Sequence, residues 1–217
     1  MFQIKICGIT TPADAVAAAE AGADAIGLNF YPLSKRAIDV GQAQDIAAAV
    51  GARVVKVGVF VNATADDIRT IVDEVGLDLI QLHGDEPADL LEELKGFAVM
   101  RAFAGDRQLA TLNAYLEECR RRECSPRMVL VDGAAPGEYG GTGHVADWRQ
   151  LAASRLRVPV VLAGGLRPGN VAEAIAIVRP AAVDTASGVE EAPGRKSRAL
   201  MQKFVAAARA AFTKLDD

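Results

Sequence analysis

The sequence has few of the residues that mark disulfide-rich and metal-binding proteins. It contains three cysteines in 217 residues, an odd number without the paired spacing of metal-binding motifs, so neither a disulfide framework nor a cysteine metal site is indicated. It also contains only two histidines, His83 and His144, which gives poor support to a histidine metal site. The free thiols fit a reducing compartment, and we expect a cytoplasmic protein.

Excess basic charge and long apolar runs are lacking as well. A formal net charge of -4 argues against a nucleic-acid partner, because such proteins carry clustered Lys and Arg. Apolar runs such as VVLAGGL are far shorter than the roughly 20 residues that cross a bilayer, and the N-terminus has no signal-peptide layout, so no membrane partner is expected. No Ser-rich, Pro-rich or charged linker divides the chain, which predicts one domain over residues 1–217.

What the sequence does contain is a repeated unit. Short apolar runs are each followed by a polar or Gly-containing turn and then by an Ala- and Leu-rich helical pattern. The eight runs are FQIKIC, AIGLNF, RVVKVGVFV, LDLIQLH, FAVMRAF, RMVLVD, VPVVLA and AAVDTA. Such alternation predicts an α/β fold, and eight units close most simply into a (β/α)8 TIM barrel. A doubly wound open sheet is the alternative.

Helix boundaries are marked by capping residues and glycines. Three residues that favour N-caps stand three positions before an acidic residue, and three glycines stand where helices would stop. The candidate N-caps are Thr11, Thr64 and Asn170, and the candidate stops are Gly22, Gly51 and Gly76.

The first and sixth runs bring reactive side chains to the end of a barrel where its chemistry lies, the C-terminal end of the strands. Alternation turns Ile4 and Ile6 toward the helices and leaves Lys5 and Cys7 facing the barrel axis. The same count turns Asp132 inward. A cysteine in an apolar strand can be an inert packing residue, but a carboxylate that ends an apolar strand needs a partner or a task.

Other polar residues in the runs are candidate substrate contacts. Gln81 and His83 count as inward on the fourth strand, where substrate contact and a satisfied core role are both open. Arg101 also counts as inward, where substrate contact is open but an interior ion pair is expected. Asp184, at the end of the eighth strand, is a further candidate substrate contact and a possible partner for Lys5.

Glycine-rich turns follow the last strands. In barrels that handle phosphorylated molecules, such turns after strands seven and eight often hold phosphate with backbone N–H groups. The candidate phosphate-binding residues are Gly164, Gly165, Ser187 and Gly188, with ordinary loop turns as the alternative. The loop GEYGGTGHVADW, which contains the candidate substrate-binding residue Gly143, can move over a bound ligand.

A set of motifs runs in order from residue 3 to about residue 196. They are KICGIT, F-x-x-x-S-x-R in FYPLSKR, VGVFVN, QLHGDE, VDG followed by GGTG-x-x-x-DW, LAGGL-x-P-x-NV and VD-x-x-SGVE-x-x-PG-x-K. Together they resemble the phosphoribosylanthranilate isomerase family of tryptophan biosynthesis. The resemblance implies a barrel enzyme that acts on a small phosphosugar through an Amadori rearrangement, with no metal and no organic cofactor.

The resemblance also implies roles for three residues. Cys7 matches the general base, Asp132 the general acid, and Arg36 the arginine associated with the anthranilate carboxylate. The acid must be protonated, which burial favours, and the base must reach the thiolate, which nearby positive charge such as that of Lys5 favours.

Two other functions stay open at this point. One is a related phosphosugar isomerase or epimerase barrel, for which two strand-end aspartates or metal-binding histidines are expected. The other is an inactive phosphosugar-binding protein, for which a damaged acid and base pair is expected. We expect a monomer, with a homodimer as the alternative.

Overall fold

The structure, a computed structural model, describes residues 2–104, 109–132, 148–154 and 156–216. All eight predicted runs form strands. These are β1 (Ile4–Cys7), β2 (Ala25–Asn29), β3 (Val55–Phe60), β4 (Leu79–Leu82), β5 (Val99–Ala104), β6 (Met128–Asp132), β7 (Val160–Leu162) and β8 (Ala182–Thr185). The helices are α1 (Pro12–Glu20), α2 (Val40–Val50), α3 (Ala65–Val75), α4 (Ala88–Glu93), α5 (Leu109–Arg121), α6 (Trp148–Ala153), α7 (Val171–Val178) and α8 (Arg198–Asp216). Within the described ranges, no helix has the length and apolar character needed to cross a membrane.

The eight strands close into a barrel in the order of the sequence. Each strand runs parallel to the next, and β8 returns to pair with β1, where Asp184 lies opposite Lys5. This closure confirms the predicted (β/α)8 barrel and excludes the open sheet.

Each barrel strand is buried on two sides, which explains the nearly continuous apolar runs. Ile4 and Ile6 of β1 pack outward in a cluster that includes side chains of α1 and α8. A separate inward cluster fills the barrel, with Val57, Met100 and Leu130 among its members. Positions 5 and 7 of β1 therefore face the barrel interior, as the alternation predicts.

Several helix boundaries follow the predicted signals. The hydroxyls of Thr11 and Thr64 accept hydrogen bonds from the backbone N–H groups of Asp14 and Asp67, which satisfies donors that the first helical turn leaves unpaired. Gly76 ends α3 in the left-handed conformation, with a φ of 70°. Such a turn favours glycine because a side chain is strained there.

Asn170 stands at the predicted position before α7, but its side chain does not cap that helix. Its Oδ1 accepts a hydrogen bond from the N–H of Arg167, and its Nδ2 donates to the carbonyl of Gly165. Asn170 is thus the N-cap residue of α7, as predicted, but its side chain fastens the turn that follows β7 instead of bonding to the first turn of the helix.

The orientation predicted for Arg101 is also wrong. Met100 belongs to the inward cluster, so Arg101 points outward, and its guanidinium lies 5.4 Å from the ring centroid of Tyr115 in α5. Arg101 does form an ion pair, with Nη1 3.4 Å from Oε2 of Glu86. It also donates to the carbonyl of Leu82, and these acceptors make the position under the helices tolerable for a buried cation.

A hairpin that the sequence analysis does not predict follows β8. It consists of β9 (Glu190–Ala192) and β10 (Arg195–Lys196), which pair antiparallel before α8 begins. The hydroxyl of Thr10 donates to the carbonyl of Gly194 at 2.6 Å. This bond ties the hairpin to the segment that leaves β1.

Candidate active site

The predicted acid and base stand at the C-terminal ends of two strands. Cys7 is the last residue of β1, and Asp132 is the last residue of β6. Val129 and Val131 of β6 pack outward, so Asp132 faces inward as predicted. Asp132 is 5% exposed and Cys7 is partly exposed. Because parallel strands of a closed barrel end on one side, the thiol and the carboxyl group open on the same mouth.

Glycines make room around Cys7. Gly27 lies opposite Cys7 in β2, and a Cβ atom at Gly27 would lie 2.5 Å from Sγ of Cys7. Gly8 has a φ of 72°, and a Cβ atom there would lie 2.3 Å from Cδ of Arg36. The KICGIT stretch thus needs glycine after its cysteine because the Arg36 side chain crosses there. Gly27 is not among the residues predicted from the sequence.

Lys5 and Asp184 form a buried ion pair inside the barrel. Nζ of Lys5 donates to Oδ2 of Asp184 at 2.9 Å, and the Lys5 side chain has no exposed surface. Burial disfavours the charged amine, but the charges of Asp184 and Cys7 and the hydrogen bonds to them together outweigh it and raise the pKa of Lys5. Oδ1 of Asp184 is buried without a hydrogen-bond partner in the described part of the chain. One carboxylate oxygen of Asp184 therefore bonds to Lys5, its predicted partner, and the other oxygen remains available.

Burial, opposed by the charge of Lys5, raises the pKa of the Cys7 thiol above its ordinary value. The positive charge of Lys196 also favours the thiolate, whereas Asp184 opposes it. Lys5 thus favours the thiolate, as predicted, but desolvation is the larger effect and works against it. Cys7 is a thiol that becomes a strong base once it ionises.

Arg36 lies at the same mouth and is held by the unpredicted hairpin. Its Nε donates to Oε1 of Glu190 at 2.8 Å, and its Nη2 donates to Oε2 at 2.7 Å. Nζ of Lys196 donates to Oε1 of Glu190 at 2.6 Å and to the carbonyl of Ala186 at 3.1 Å. Glu190 and Lys196 belong to the motif VD-x-x-SGVE-x-x-PG-x-K, but neither is among the site residues predicted from the sequence.

Gln81 and His83 both face the barrel interior, as predicted. Nε2 of Gln81 lies 2.9 Å from Nδ1 of His83, and Nε2 of His83 lies 3.8 Å from Oδ2 of Asp132. Burial, reinforced by the positive charges of Lys5 and Arg101, lowers the pKa of His83 to about 3. His83 is therefore neutral at physiological pH, and Nε2 of its ring lies near the candidate acid without a hydrogen bond to it.

The glycine-rich turns after β7 and β8 lie against each other. Gly164 and Gly165 adopt positive φ values of 87° and 61°, which favour glycine. A Cβ atom at Gly188 would lie 1.8 Å from the carbonyl oxygen of Leu166, so the second turn packs directly on the first. Ser187 begins a 3-10 turn (Ser187–Val189) in that second turn. The four candidate phosphate-binding residues therefore belong to two contiguous turns, whereas Gly143 lies outside the described residues.

The sequence matches one enzyme family over most of its length. Residues 4–207 match the family model described as N-(5'phosphoribosyl)anthranilate (PRA) isomerase. The N-(5'-phosphoribosyl)anthranilate isomerase of Acidithiobacillus ferrooxidans is 46% identical over 214 residues, which cover 96% of this chain and 98% of the relative. The enzyme of that name from Pseudomonas putida is 47% identical over 209 residues, which cover 95% of this chain and 97% of the relative.

Solved structures are similar over the same extent. Phosphoribosylanthranilate isomerase from Thermotoga maritima gives a TM-score of 0.85 at 37% identity and covers 97% of this chain and 100% of that one. A phosphoribosylanthranilate isomerase solved in complex with reduced 1-(o-carboxyphenylamino)-1-deoxyribulose 5-phosphate gives a TM-score of 0.83 at 36% identity, with the same coverage.

Proposed function

The chain belongs to the N-(5'-phosphoribosyl)anthranilate isomerase family, and from this we propose that Cys7 is the base and Asp132 the acid of its reaction. It is an isomerase of tryptophan biosynthesis that converts N-(5'-phosphoribosyl)anthranilate to 1-(2-carboxyphenylamino)-1-deoxyribulose 5-phosphate. The observation that carries the proposal is the position of a thiol and a carboxyl group at the ends of β1 and β6, both turned inward. The reaction needs one acid and one base.

Asp132 acts in the first step. Its carboxyl proton moves to the ring oxygen of the ribose, and the bond between that oxygen and C1' breaks, with its electron pair going to the oxygen. The lone pair of the anthranilate nitrogen forms the C1'=N bond of a Schiff base. This step requires Asp132 to carry its proton.

Cys7 acts in the second step. Its thiolate removes the C2' proton, the C–H electron pair forms the C1'=C2' bond, and the C1'=N electrons return to nitrogen. The resulting enol becomes the ketone when its hydroxyl proton leaves and C1' gains a proton. Substrate and product contain the same atoms, so C2' is oxidised as C1' is reduced and no external oxidant or reductant is consumed.

Three inward residues are proposed to contact the sugar. Each has a buried polar atom without a hydrogen-bond partner in the described part of the chain. These atoms are Oε1 of Gln81, Nε2 of His83 and Oδ1 of Asp184. A buried polar atom without a partner costs about 1–3 kcal/mol, and substrate hydroxyl groups would supply the missing partners.

The two ends of the substrate are proposed to be held by different elements. Backbone N–H groups of the paired turns would hold the phosphate, through Gly164, Gly165, Ser187 and Gly188. Arg36 would bind the anthranilate carboxylate, because its planar guanidinium can donate two parallel hydrogen bonds to that group.

The proposal is tested with Cys7→Ala and Asp132→Asn, assayed by the loss of substrate fluorescence. Each should lower kcat by at least about 10²-fold, as expected for a positioned proton-transfer group, and should still bind the reduced product analogue. Cys124→Ala is the matched control, because Cys124 lies between α5 and β6 and should leave kcat unchanged. Turnover within about threefold of the wild type would remove the altered residue from the mechanism.

We propose that the chain is a monomer. Among the described residues, Leu33 is the only large hydrophobic side chain that is exposed, at 81%, whereas stable dimers bury an extended apolar surface. A second Thermotoga maritima structure is that of monomers generated from a dimeric phosphoribosylanthranilate isomerase, so both forms occur among the relatives. Light scattering after size exclusion should give a mass near 22.8 kDa, and about twice that mass would identify a dimer.

We also propose a reducing, cytoplasmic location. Cys7, Cys119 and Cys124 are all free thiols, the state that such a compartment maintains. Cell fractionation that recovers the chain in an oxidising compartment would contradict this.

A further inference from the structure

Arg36 is held along one edge of its guanidinium group. Nε and Nη2 both bond to the carboxylate of Glu190, so the two groups form a bidentate pair. The aliphatic part of the side chain crosses Gly8, where a Cβ atom would lie 2.3 Å from Cδ. The plane of the guanidinium is therefore fixed from two sides.

The opposite edge of Arg36 is available. Nη1 has no hydrogen-bond acceptor among the described residues, and Nη2 carries a second N–H beyond the one that Glu190 accepts. The Arg36 side chain retains 14% exposure, against 5% for Glu190. The Nη1 edge can thus receive a second carboxylate without displacing the first.

Lys196 adjusts the charge of this cluster. Its buried ammonium group pairs with Glu190 at 2.6 Å. Burial opposes ionisation of Glu190, but the hydrogen bonds and charges of Arg36 and Lys196 outweigh it and lower the pKa of that carboxyl. Arg36 and Lys196 are cations and Glu190 is an anion, so the three carry a net charge of about +1. This charge suits one incoming carboxylate. Without Lys196, Glu190 would neutralise Arg36.

We propose that Glu190 is a positioning residue for specificity: with Lys196 as its counter-ion, it holds Arg36 so that the Nη1 edge selects substrates with a carboxylate on the aryl amine. This inference rests on the proposed role of Arg36. Glu190 therefore does not compete with the substrate, and it acts through Arg36 on binding rather than on proton transfer.

The test uses Glu190→Gln with two ligands. One is reduced 1-(o-carboxyphenylamino)-1-deoxyribulose 5-phosphate, and the other is the same compound without the carboxyl group. The amide keeps the shape but turns an NH2 group toward a donor, so the first ligand should bind about 10-fold more weakly, while the second stays within about twofold. KM should rise with kcat little changed. Glu191→Gln, an exposed neighbour in β9, should alter neither ligand.

Two further variants separate the possible failures. Arg36→Ala should weaken the carboxylate ligand selectively; if it does not, the proposed role of Arg36 fails. If Arg36→Ala is selective but Glu190→Gln weakens both ligands equally or tightens the first, only the positioning role fails. Glu190→Asp keeps the charge with a shorter reach, so wild-type affinity in this variant would also overturn positioning. Circular dichroism and thermal unfolding verify that each variant is folded.

Discussion

Gly27→Ala would place a methyl group where the Cys7 thiol now lies. The added Cβ would be 2.5 Å from Sγ, and it would also be 3.0 Å from Cα of Cys7. Rotation of the thiol relieves only the first of these contacts, because Cα moves only with the strand. Cys7 and Gly27 are register partners in β1 and β2, so β1 and β2 must adjust as well.

The size of the effect follows from these distances. Non-bonded heavy atoms settle at about 3.5 Å or more, so the sulfur must move by about 1 Å. A displacement of about 1 Å can lower the rate of a positioned group by about 10²-fold. Overpacking a buried site also costs about 1–3 kcal/mol of folding stability. We therefore expect kcat to fall about 10²-fold with KM within about twofold of the wild type.

The assay compares Gly27→Ala with Gly41→Ala under saturating substrate. Gly41 is exposed in the first turn of α2, and a Cβ atom there would meet only Oδ1 of Asp39, at 3.4 Å. Circular dichroism establishes that both variants are folded. Near-normal kcat in folded Gly27→Ala would refute the idea that the reaction depends on the position of the Cys7 thiol.

Three further predictions concern charges at the mouth. Lys5→Met should destabilise the fold by about 3–5 kcal/mol in urea unfolding, because it leaves Asp184 buried without its cation. Lys56 pairs with Asp78, whose side chain is 46% exposed, so Lys56→Met should lower the free energy of unfolding by less than about 1 kcal/mol. An equal loss in the two variants would contradict the idea that burial makes the Lys5 pair the more costly one to break. His83 has a pKa of about 3 in the folded chain and about 6.5 in the unfolded chain, so between these pH values the unfolded chain binds more protons. As the pH falls below about 6.5, the free energy of unfolding of the wild type should therefore drop by up to about 1.4 kcal/mol per pH unit relative to that of His83→Asn. Parallel curves of unfolding free energy against pH would contradict this. The rate at which iodoacetamide alkylates Cys7, followed by peptide mass spectrometry, should rise with pH to a midpoint above about 8.5, the pKa of a free cysteine. A midpoint below pH 7 would show that burial is not the dominant effect on the pKa of Cys7.

The barrel could be predicted from the sequence because its strands are buried on both faces and its helices carry local signals. The hydroxyls of Thr11 and Thr64 find their partners three residues away, so the sequence alone contains both groups. The outward orientation of the Arg101 side chain could not be derived in this way. Its position depends on Glu86 and on carbonyl groups of a neighbouring strand end, which make an outward cation acceptable.

The strand-end positions of Cys7 and Asp132 could be predicted from the sequence, whereas the contacts that hold Arg36 could not. Glu190 bonds to Arg36 across 154 positions of sequence, and the strands of its hairpin have three and two residues, too short for an alternation pattern. The direction of the Cys7 pKa shift also required the structure, because desolvation and the surrounding charges oppose each other. The sequence identifies the charges but not the degree of burial.

A crystal structure of the chain with reduced 1-(o-carboxyphenylamino)-1-deoxyribulose 5-phosphate tests the central claim most directly. If Cys7 and Asp132 are the base and the acid, Sγ of Cys7 should lie within about 3–3.5 Å of C2', the separation of reacting atoms. The carboxyl group of Asp132 should lie within hydrogen-bond distance of the oxygen that closes the furanose ring in the substrate. A C2' atom that faces another basic side chain, with the Cys7 sulfur on the far side of the ligand, would contradict the assignment.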